Sequence, residues 1–400
     1  MKPKISFKGF KEPWEVSTLR NFFSKVNEKN ARMLYSAVLT NSAEYGIIDQ
    51  RDYFDFDVAN SNNISGYYIV QPDDFVYNPR VSVTAPVGPI NKNELGYIGV
   101  MSPLYLVFKI NGINKDYLCH YFKSNKWHKF MRISGNCGAR FDRLSISDEQ
   151  FVQMPIPYPI NSKEQQTICN YLEKIDKLIS TASSRLASLK QVKEASLQAM
   201  FPQKGETVPK IRFKGFEGEW VITKAAEIFK TVNERNFSGL PVLSATQDKG
   251  MVTRDSIGYN IFHEKSNEST YKHIVPGQFV MHLRSFQGGF AHSAIEGICS
   301  PAYTIMEFKD KEKNHDLYWK YVLTSKRFIK SLEMITYGIR DGRTISFDEF
   351  KEMVFLVPKV EEQQQIASYF TSLDKQIALQ TQRLEKLKQI KAACLDKMFV

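Results

Sequence analysis

Residues 164–201 read EQQTICNYLEKIDKLISTASSRLASLKQVKEASLQAMF, and residues 362–399 read EQQQIASYFTSLDKQIALQTQRLEKLKQIKAACLDKMF. The two segments match at an offset of 198 residues, from the shared EQQ to the shared Met-Phe. In the first, apolar or small residues recur at spacings that alternate between 4 and 3, and the second has the same heptad pattern with one polar break at Gln380, as in a coiled-coil seam. We therefore predict two long helices with these helix-pairing positions: Ile168, Leu172, Ile175, Ile179, Leu186, Leu189, Ile366, Phe370, Leu373, Ile377, Leu384 and Leu387.

The flanking residues set the expected ends of the first helix. Ser162 and Gln165 fit a capping box, and Pro202 followed by Gly205 stops the helix. An apolar seam of about 35 to 38 residues needs a partner, and the other copy is the simplest one. Since the chain must return to a second domain, we expect an antiparallel pair. The alternative is two independent helices, each docked on its own domain.

A second repeated block opens each half of the chain. Residues 3–10, PKISFKGF, return as residues 209–216, PKIRFKGF, at an offset of 206. The change of offset from 206 to 198 means that the second half is 8 residues shorter between its blocks. Long-period similarity of this kind indicates a duplicated architecture. We predict two domains, at 1–158 and 204–358, each followed by a long helix, at 159–203 and 359–400.

Composition limits the class of protein. Lys and Arg number 54 against 43 Asp and Glu, which gives a net charge of +11 and favours an acidic partner such as nucleic acid. A basic protein without such a partner is the simpler alternative. The N-terminus has no secretion signal, and the most apolar stretch, 96–108, is too short to cross a membrane. Five widely spaced cysteines suit a reducing compartment, so we expect a cytoplasmic protein without a membrane partner.

Enzyme signatures are missing from the sequence. It contains neither a phosphate-binding GxxxxGK[ST] loop nor GxGxxG, and its seven histidines include no HExxH. The pair Asn78-Pro79 continues with Arg80, unlike the motif of an amino-methyltransferase, and no nuclease motif follows Pro72-Asp73. We therefore predict no catalytic residues, no metal site and no cofactor of the chain's own.

Basic, glycine-containing segments between strand-like runs are the candidate DNA contacts. Arginine and amide side chains suit base edges, and glycine lets the backbone approach phosphates. The alternative is that these are ordinary solvated loops. Trp127 and Trp319, in helix-like stretches, are predicted to be core residues. The candidate DNA-binding residues are Arg80, Asn136, Arg140, Arg143, Arg284, Ser285, Gln287, Arg340 and Arg343.

Taken together, these features resemble the DNA-specificity (S) subunit of Type I restriction-modification systems. The resemblance covers essentially the whole chain and rests on the PKIRFKGF-x3-W opening, on ISFDEF and VPK at 345–350 and 357–359, and on the twice-occurring EQQ-I helix start. It implies an α+β fold in which two mixed α/β target-recognition domains are held apart by two long antiparallel helices with an internal pseudo-two-fold repeat.

The same resemblance implies a function and a set of partners. Each domain would read one half of a split double-stranded DNA site, and the unlike centres imply an asymmetric site. The helices would act as spacer and dock two methyltransferase (modification) subunits, which restriction and translocase subunits then join. Methyl donor, ATP and Mg²⁺ would belong to these partners, which leaves the chain a non-catalytic specificity subunit.

Two other functions remain open. A two-domain adaptor that binds only proteins would share the repeat and the helices. DNA binding that weakens steeply with salt would distinguish the DNA-binding function from this adaptor. A fused methyltransferase-specificity chain would need a cofactor loop, and both halves are already occupied by the repeated domains.

Overall fold

The computed structural model describes residues 1–53, 61–136, 142–246, 248–257, 265–281, 289–335 and 346–400. The chain forms two compact units: Met1–Ser183 with Gln382–Val400 is unit 1, and Ser184–Thr381 is unit 2. The units divide inside the long helices, whereas the four predicted segments follow the ends of the helices. That four-part division therefore stays a prediction about the sequence repeat.

Unit 1 combines short strands with short helices and the beginning of one long helix. Its strands are β1 (Glu15–Thr18), β2 (Phe23–Lys25), β3 (Leu39–Ser42), β4 (Gly46–Asp49), β5 (Tyr68–Val70), β6 (Phe75–Tyr77), β7 (Ile90–Lys92), β8 (Gly99–Met101), β9 (Leu106–Ile110) and β10 (Pro155–Tyr158). Its helices are α1 (Gln50–Tyr53), α2 (Lys115–Phe122), α3 (His128–Ser134), α4 (Asp148–Phe151) and the first part of α5 (Ser162–Ala199).

The central sheet of unit 1 has the strand order β2-β9-β6-β7. Alternation along β6 explains its fully buried sequence, because Phe75 and Tyr77 enter one apolar cluster and Val76 enters another. The first cluster also contains Trp127, which is 2% exposed, as predicted for a core residue. The sheet is therefore covered on both faces. Each fully buried aromatic side chain adds roughly 2–3 kcal/mol to stability.

Unit 2 repeats this plan. Its strands are β11 (Val221–Lys224), β12 (Phe229–Val232), β13 (Val242–Thr246), β14 (Gly250–Thr253), β15 (Lys272–Ile274), β16 (Phe279–Met281), β17 (Ala291–His292), β18 (Gly297–Cys299), β19 (Thr304–Phe308) and β20 (Val354–Val357). Its helices are α6 (Ala225–Ile228), α7 (Asp316–Leu323), α8 (Lys326–Ile335), α9 (Phe347–Phe350) and the first part of α10 (Val360–Lys397).

The central sheet of unit 2 has the order β12-β19-β16-β17, which is the order of unit 1 with each strand replaced by its counterpart. Strand β16 alternates in the same way, since Phe279 and Met281 join one cluster and Val280 joins the other. Trp319 is fully buried, as predicted. The predicted class, mixed α/β domains in an internal repeat with two long helices, is confirmed at the level of these elements.

The two long helices have 38 residues each. Within unit 1, Asp176 of α5 pairs with Lys391 of α10 at 2.5 Å, and Tyr171 contacts Cys394. A step forward along α5 is thus matched by a step backward along α10, so these segments are antiparallel. Within unit 2, Lys193 pairs with Asp374 at 2.5 Å. The repeat relates Asp176 to Asp374 and Lys391 to Lys193, so both units contain the same ion pair.

Six of the predicted helix-pairing positions lie in the apolar cores of the two units. All twelve are buried or half-buried. In unit 1, Ile168, Leu172 and Ile175 share the core cluster with residues of the domain itself and with Cys394, Met398 and Phe399. In unit 2, Ile366, Phe370 and Leu373 do the same beside Met200. Each helix start is therefore packed on its own domain and on the end of the other helix.

The repeated EQQ motif fastens each long helix to its domain. The predicted capping box is wrong, because the Asn161 side chain accepts the hydrogen bond of the Lys163 amide at 3.0 Å and so occupies the cap. Gln165 instead accepts a hydrogen bond from the Asn114 amide at 3.0 Å and donates one to the Pro159 carbonyl at 2.8 Å. Its counterpart, Gln363, makes the same pair of contacts with the His315 amide and the Pro358 carbonyl.

The repeated openings cap the ends of the long helices. In unit 1 the Ile5 amide donates to the Lys397 carbonyl at 3.0 Å, and in unit 2 the Ile211 amide donates to the Ala199 carbonyl at 2.9 Å. These bonds satisfy carbonyl groups that a helix end leaves open. Among the helices of the described residues, none is long and apolar enough to cross a membrane.

Candidate nucleic-acid interface

Three predicted DNA-contacting residues of unit 1 meet in one small ladder. Arg80 and Arg143 form an antiparallel bridge, and Asn136 forms a second bridge with Ser145. Backbone hydrogen bonds of 2.8 to 2.9 Å hold the three segments together, including that from the Leu144 amide to the Pro79 carbonyl. Arg80 and Asn136 are exposed and Arg143 is half-buried. Segments far apart in sequence thus present polar side chains at one place.

Asparagine side chains brace the loop that carries Arg80. The Asn78 carboxamide accepts a hydrogen bond from the Arg80 amide and donates one to the Asn41 carbonyl, both at 3.0 Å. Asn41 is 2% exposed; it donates to the Val76 carbonyl at 2.7 Å and accepts from Asn91 at 2.7 Å. Because buried amides hold fixed geometry when they are satisfied, this network positions Arg80 relative to the sheet.

Hydrogen bonds also fix the C-terminal side of the same loop, at Val87 and Pro89. The Tyr77 hydroxyl donates to the Val87 carbonyl at 3.0 Å, and the Asn78 amide donates to the Pro89 carbonyl at 3.0 Å. Gly88 has a φ of +81°, and a Cβ atom there would lie 2.0 Å from the Asn78 carbonyl oxygen. The loop therefore requires glycine at this point. Its tip remains free, since Val83 is fully exposed.

The ladder concentrates uncompensated positive charge. Arg80 and Arg143 lie directly opposite each other, and like charges in that relation repel. Neither guanidinium has a carboxylate partner among the residues that the structure describes. Guanidinium groups stay protonated and donate in a planar fork that suits phosphate oxygens or the edge of guanine. An anionic ligand would relieve the repulsion, so the arrangement favours nucleic acid.

The remaining predicted contact residues lie outside the described residues. These are Arg140 in unit 1 and Arg284, Ser285, Gln287, Arg340 and Arg343 in unit 2. The topology nevertheless relates two of the loops, because β6 and β16 hold the same place in their sheets. In sequence, Asn78-Pro79-Arg80 follows β6 directly and His282-Leu283-Arg284 follows β16 directly. An arginine thus occurs at the third position after each strand.

The asparagine network was missing from the sequence-based prediction. A usable signal exists, because asparagine is disfavoured in strands and three occur in or beside β3, β6 and β7. Without the pairing of those strands, however, nothing indicates that their side chains meet.

Two histidines of unit 2, His273 and His292, have carboxylate partners. His292, which is 6% exposed, bonds to Asp316 at 2.8 Å, and this hydrogen bond lowers the pKa of the Asp316 carboxyl. His273 lies between Glu234 and Glu296 at 3.0 and 2.9 Å. No group of three or more His, Cys, Asp or Glu side chains among the described residues is placed to hold a metal ion.

Comparison with known proteins matches both halves of the chain to one family. The family model described as the Type I restriction modification DNA specificity domain matches residues 11–191 and 217–389. The S subunit of a Type I restriction-modification system from M. genitalium is similar over 100% of this chain and 99% of that chain, with a TM-score of 0.60 and 12% identity.

A second solved structure is similar to a comparable extent. A chain from a study of complex assembly and conformational transition of the type I R-M system is similar over 97% of this chain and 98% of that chain, with a TM-score of 0.51 and 14% identity. At these identities the structural similarity concerns the fold.

Proposed function

This chain belongs to the Type I restriction-modification DNA specificity family, and on that premise we propose that it reads an asymmetric, two-part DNA site without performing chemistry itself. The observation that carries the proposal is one domain plan present twice with unlike loops at the same place. Two copies of one scaffold that differ at the reading loops would recognise two different half-sites.

The chemistry of the loops supports the proposal. After β6 the arginine has Asn78 and Pro79 as neighbours, and after β16 it has His282 and Leu283. Arginine pairs with guanine and asparagine pairs with adenine through two hydrogen bonds each, whereas leucine makes apolar contacts. The loop of unit 1 is also the longer one. Because the two loops differ in length and in their hydrogen-bonding side chains, they favour different base sequences.

We propose further that methyltransferase and restriction subunits bind this chain and supply the methyl donor, ATP and Mg²⁺. The missing phosphate-binding and methyltransferase motifs support this division of labour. The long helices also expose apolar side chains away from their buried stripe, with Leu178 at 45% and Leu379 at 56%. Since apolar residues on a charged helix surface suit protein contacts, these two faces are candidate docking sites.

The decisive experiment is a methylome of cells that express this chain with its modification subunits. The proposal predicts one motif made of two unlike specific parts separated by an unspecified spacer. A single continuous or palindromic motif would contradict it. A purified chain without salt-dependent DNA binding would instead favour the protein-only adaptor, because phosphate contacts release counterions and so make binding salt-dependent.

A point variant tests which half of the DNA motif unit 1 reads. Replacing Arg80 with alanine should relax one half of the motif and leave the other unchanged. A lost base contact is worth about 1–3 kcal/mol, or roughly 5- to 150-fold in discrimination at one position. Arg20→Ala is the control, because Arg20 is exposed in the same unit but lies outside the ladder. Equal effects of both variants, or relaxation of both halves by R80A, would contradict the assignment.

A further inference from the structure

An open groove on α3 of unit 1 collects basic side chains that the proposed reading loops do not use. It has a volume of about 600 Å³ and is lined by Asn125, Lys126, His128, Lys129, Arg132 and Ile133. Lys129 and Arg132 are exposed, and Lys126 and His128 are half-buried. Among the described residues, no carboxylate lines the groove.

The charges in the groove repel one another. His128 and Arg132 are four residues apart and Lys129 and Arg132 three apart, so their side chains lie on one helix face. Burial and the nearby Arg132 lower the pKa of His128. Lys126 has a carboxylate partner, Asp396 at 3.3 Å, but no ion pair is found for Lys129 or Arg132 in the described part of the chain. An anion in the groove would offset this repulsion.

Unit 2 has the same helix with a different charge pattern: Arg327 and Lys330 keep the basic positions of Lys126 and Lys129, but two other positions change. The buried residues Trp127 and Met131 of α3 match Phe328 and Leu332 of α8. This alignment places Ile329 at the position of His128 and Glu333 at the position of Arg132. Because the scaffold is shared and the charge at the Arg132 position is reversed, helix packing does not require a basic residue there.

The helix that lines the groove runs in the chain directly into the candidate reading ladder. Helix α3 ends at Ser134, and Asn136 follows as a ladder residue. The rise of 1.5 Å per residue puts the centre of α3 within roughly 10 Å of Asn136 along the helix. Basic residues at that distance from base-reading side chains match the usual division between positioning and reading contacts.

We propose that this groove binds backbone phosphates of DNA that flank the half-site read by unit 1. The inference rests on the proposed DNA-binding function and assigns it a second surface. Lys129 and Arg132 contact the phosphates and position the duplex without reading its sequence. An acidic segment of a partner protein is the competing occupant, but the continuity with the ladder favours DNA.

The test compares the full-length chain with the double variant Lys129→Gln, Arg132→Gln. Binding to fluorescent duplexes that carry the target or a scrambled sequence is measured by anisotropy from about 0.05 to 0.3 M salt. Loss of two phosphate contacts should reduce the slope of log affinity against log salt by about 1.8, which corresponds to roughly 60-fold at 0.1 M salt. The loss should be equal on both sequences. A target duplex trimmed to end at the half-site should bind the variant and the unmodified chain alike.

Controls separate charge, folding and function. Lys326→Gln with Lys330→Gln removes two charges from the matching helix α8 and should change the slope much less. The groove variant should melt at the same temperature as the unmodified chain or slightly higher, because repulsion is removed. If the unmodified chain selects the target sequence but the groove variant has the same salt slope, this inference alone is overturned. A chain without salt-dependent DNA binding overturns the proposed function as well. Loss of methyltransferase binding by the variant with DNA affinity intact assigns the groove to a protein and overturns the inference.

Discussion

Replacing Gly88 with alanine should release the loop that carries Arg80. Gly88 has a φ of +81°, and its added Cβ would lie 2.0 Å from the carbonyl oxygen of Asn78 and 3.1 Å from the ring of Tyr77. A contact of 2.0 Å with a backbone atom cannot persist, so the two sides of the loop must separate by more than 1 Å to reach ordinary van der Waals distance.

The cost of G88A can be estimated from these contacts. A non-glycine residue in the left-handed region costs about 1–2 kcal/mol. Separation of the loop also weakens the bonds from Tyr77 to Val87 and from Asn78 to Pro89, each worth about 1 kcal/mol. The total of about 3–4 kcal/mol should lower the melting temperature of unit 1 by roughly 6–16 °C, at about 2–4 °C per kcal/mol.

Gly96→Ala is the matched control. Gly96 belongs to the same unit and has a φ of +77°, but a Cβ there would meet no atom within 4 Å. It should therefore cost only the conformational part, about 1–2 kcal/mol. Calorimetry gives the stability difference, and a methylome gives the loss of the half-site of unit 1. Equal destabilisation by the two variants would refute the close-approach argument, because the backbone contact distinguishes the two positions.

Two further predictions concern buried polar groups of the domains. Trp14→Phe should destabilise unit 1 by about 1–3 kcal/mol more than Trp220→Phe destabilises unit 2. The reason is that the Trp14 indole donates to buried Glu164 at 3.1 Å, whereas no partner of the Trp220 indole is found among the described residues. Equal shifts of the urea midpoint in the two variants would contradict this. Burial lowers the pKa of His120 to about 4, so the unfolded chain takes up a proton first and unit 1 should lose about 3 kcal/mol as pH falls from 6.5 to 4. His120→Phe should flatten the stability-pH curve in that window, and an unchanged curve would rule His120 out.

The repeat and the long helices were predictable because they depend on local sequence. A spacing of 3 and 4 is a property of the helix itself, so the stripe from Ile168 onward indicates the helix and its apolar face. The helix start was predicted wrongly, because Ser162 was assigned the cap that the Asn161 side chain occupies. The Gln165 side chain accepts a hydrogen bond from the Asn114 amide, which lies about 50 residues earlier in the chain. No local rule predicts that contact.

The strands and the candidate site depended on pairings that the sequence does not reveal. Strands of three or four residues carry little periodic signal, and β6 is buried on both faces, so it has no polar alternation. Arg80 and Arg143 were selected by residue type and by their place in basic segments between strand-like runs. Their meeting in one ladder follows from hydrogen bonds between segments about 60 residues apart.

The two copies agree where a domain joins the helices and differ where it would read DNA. Gln165 and Gln363 make the same two backbone contacts, although their neighbours Asn114 and His315 are different residues. A contact to the backbone tolerates any side chain at that position. Loops after β6 and β16 can therefore change in length and residue type while the joint to the helix stays the same. In physical terms, recognition by such a scaffold can diverge because its attachment depends on main-chain atoms and on an ion pair that both copies contain.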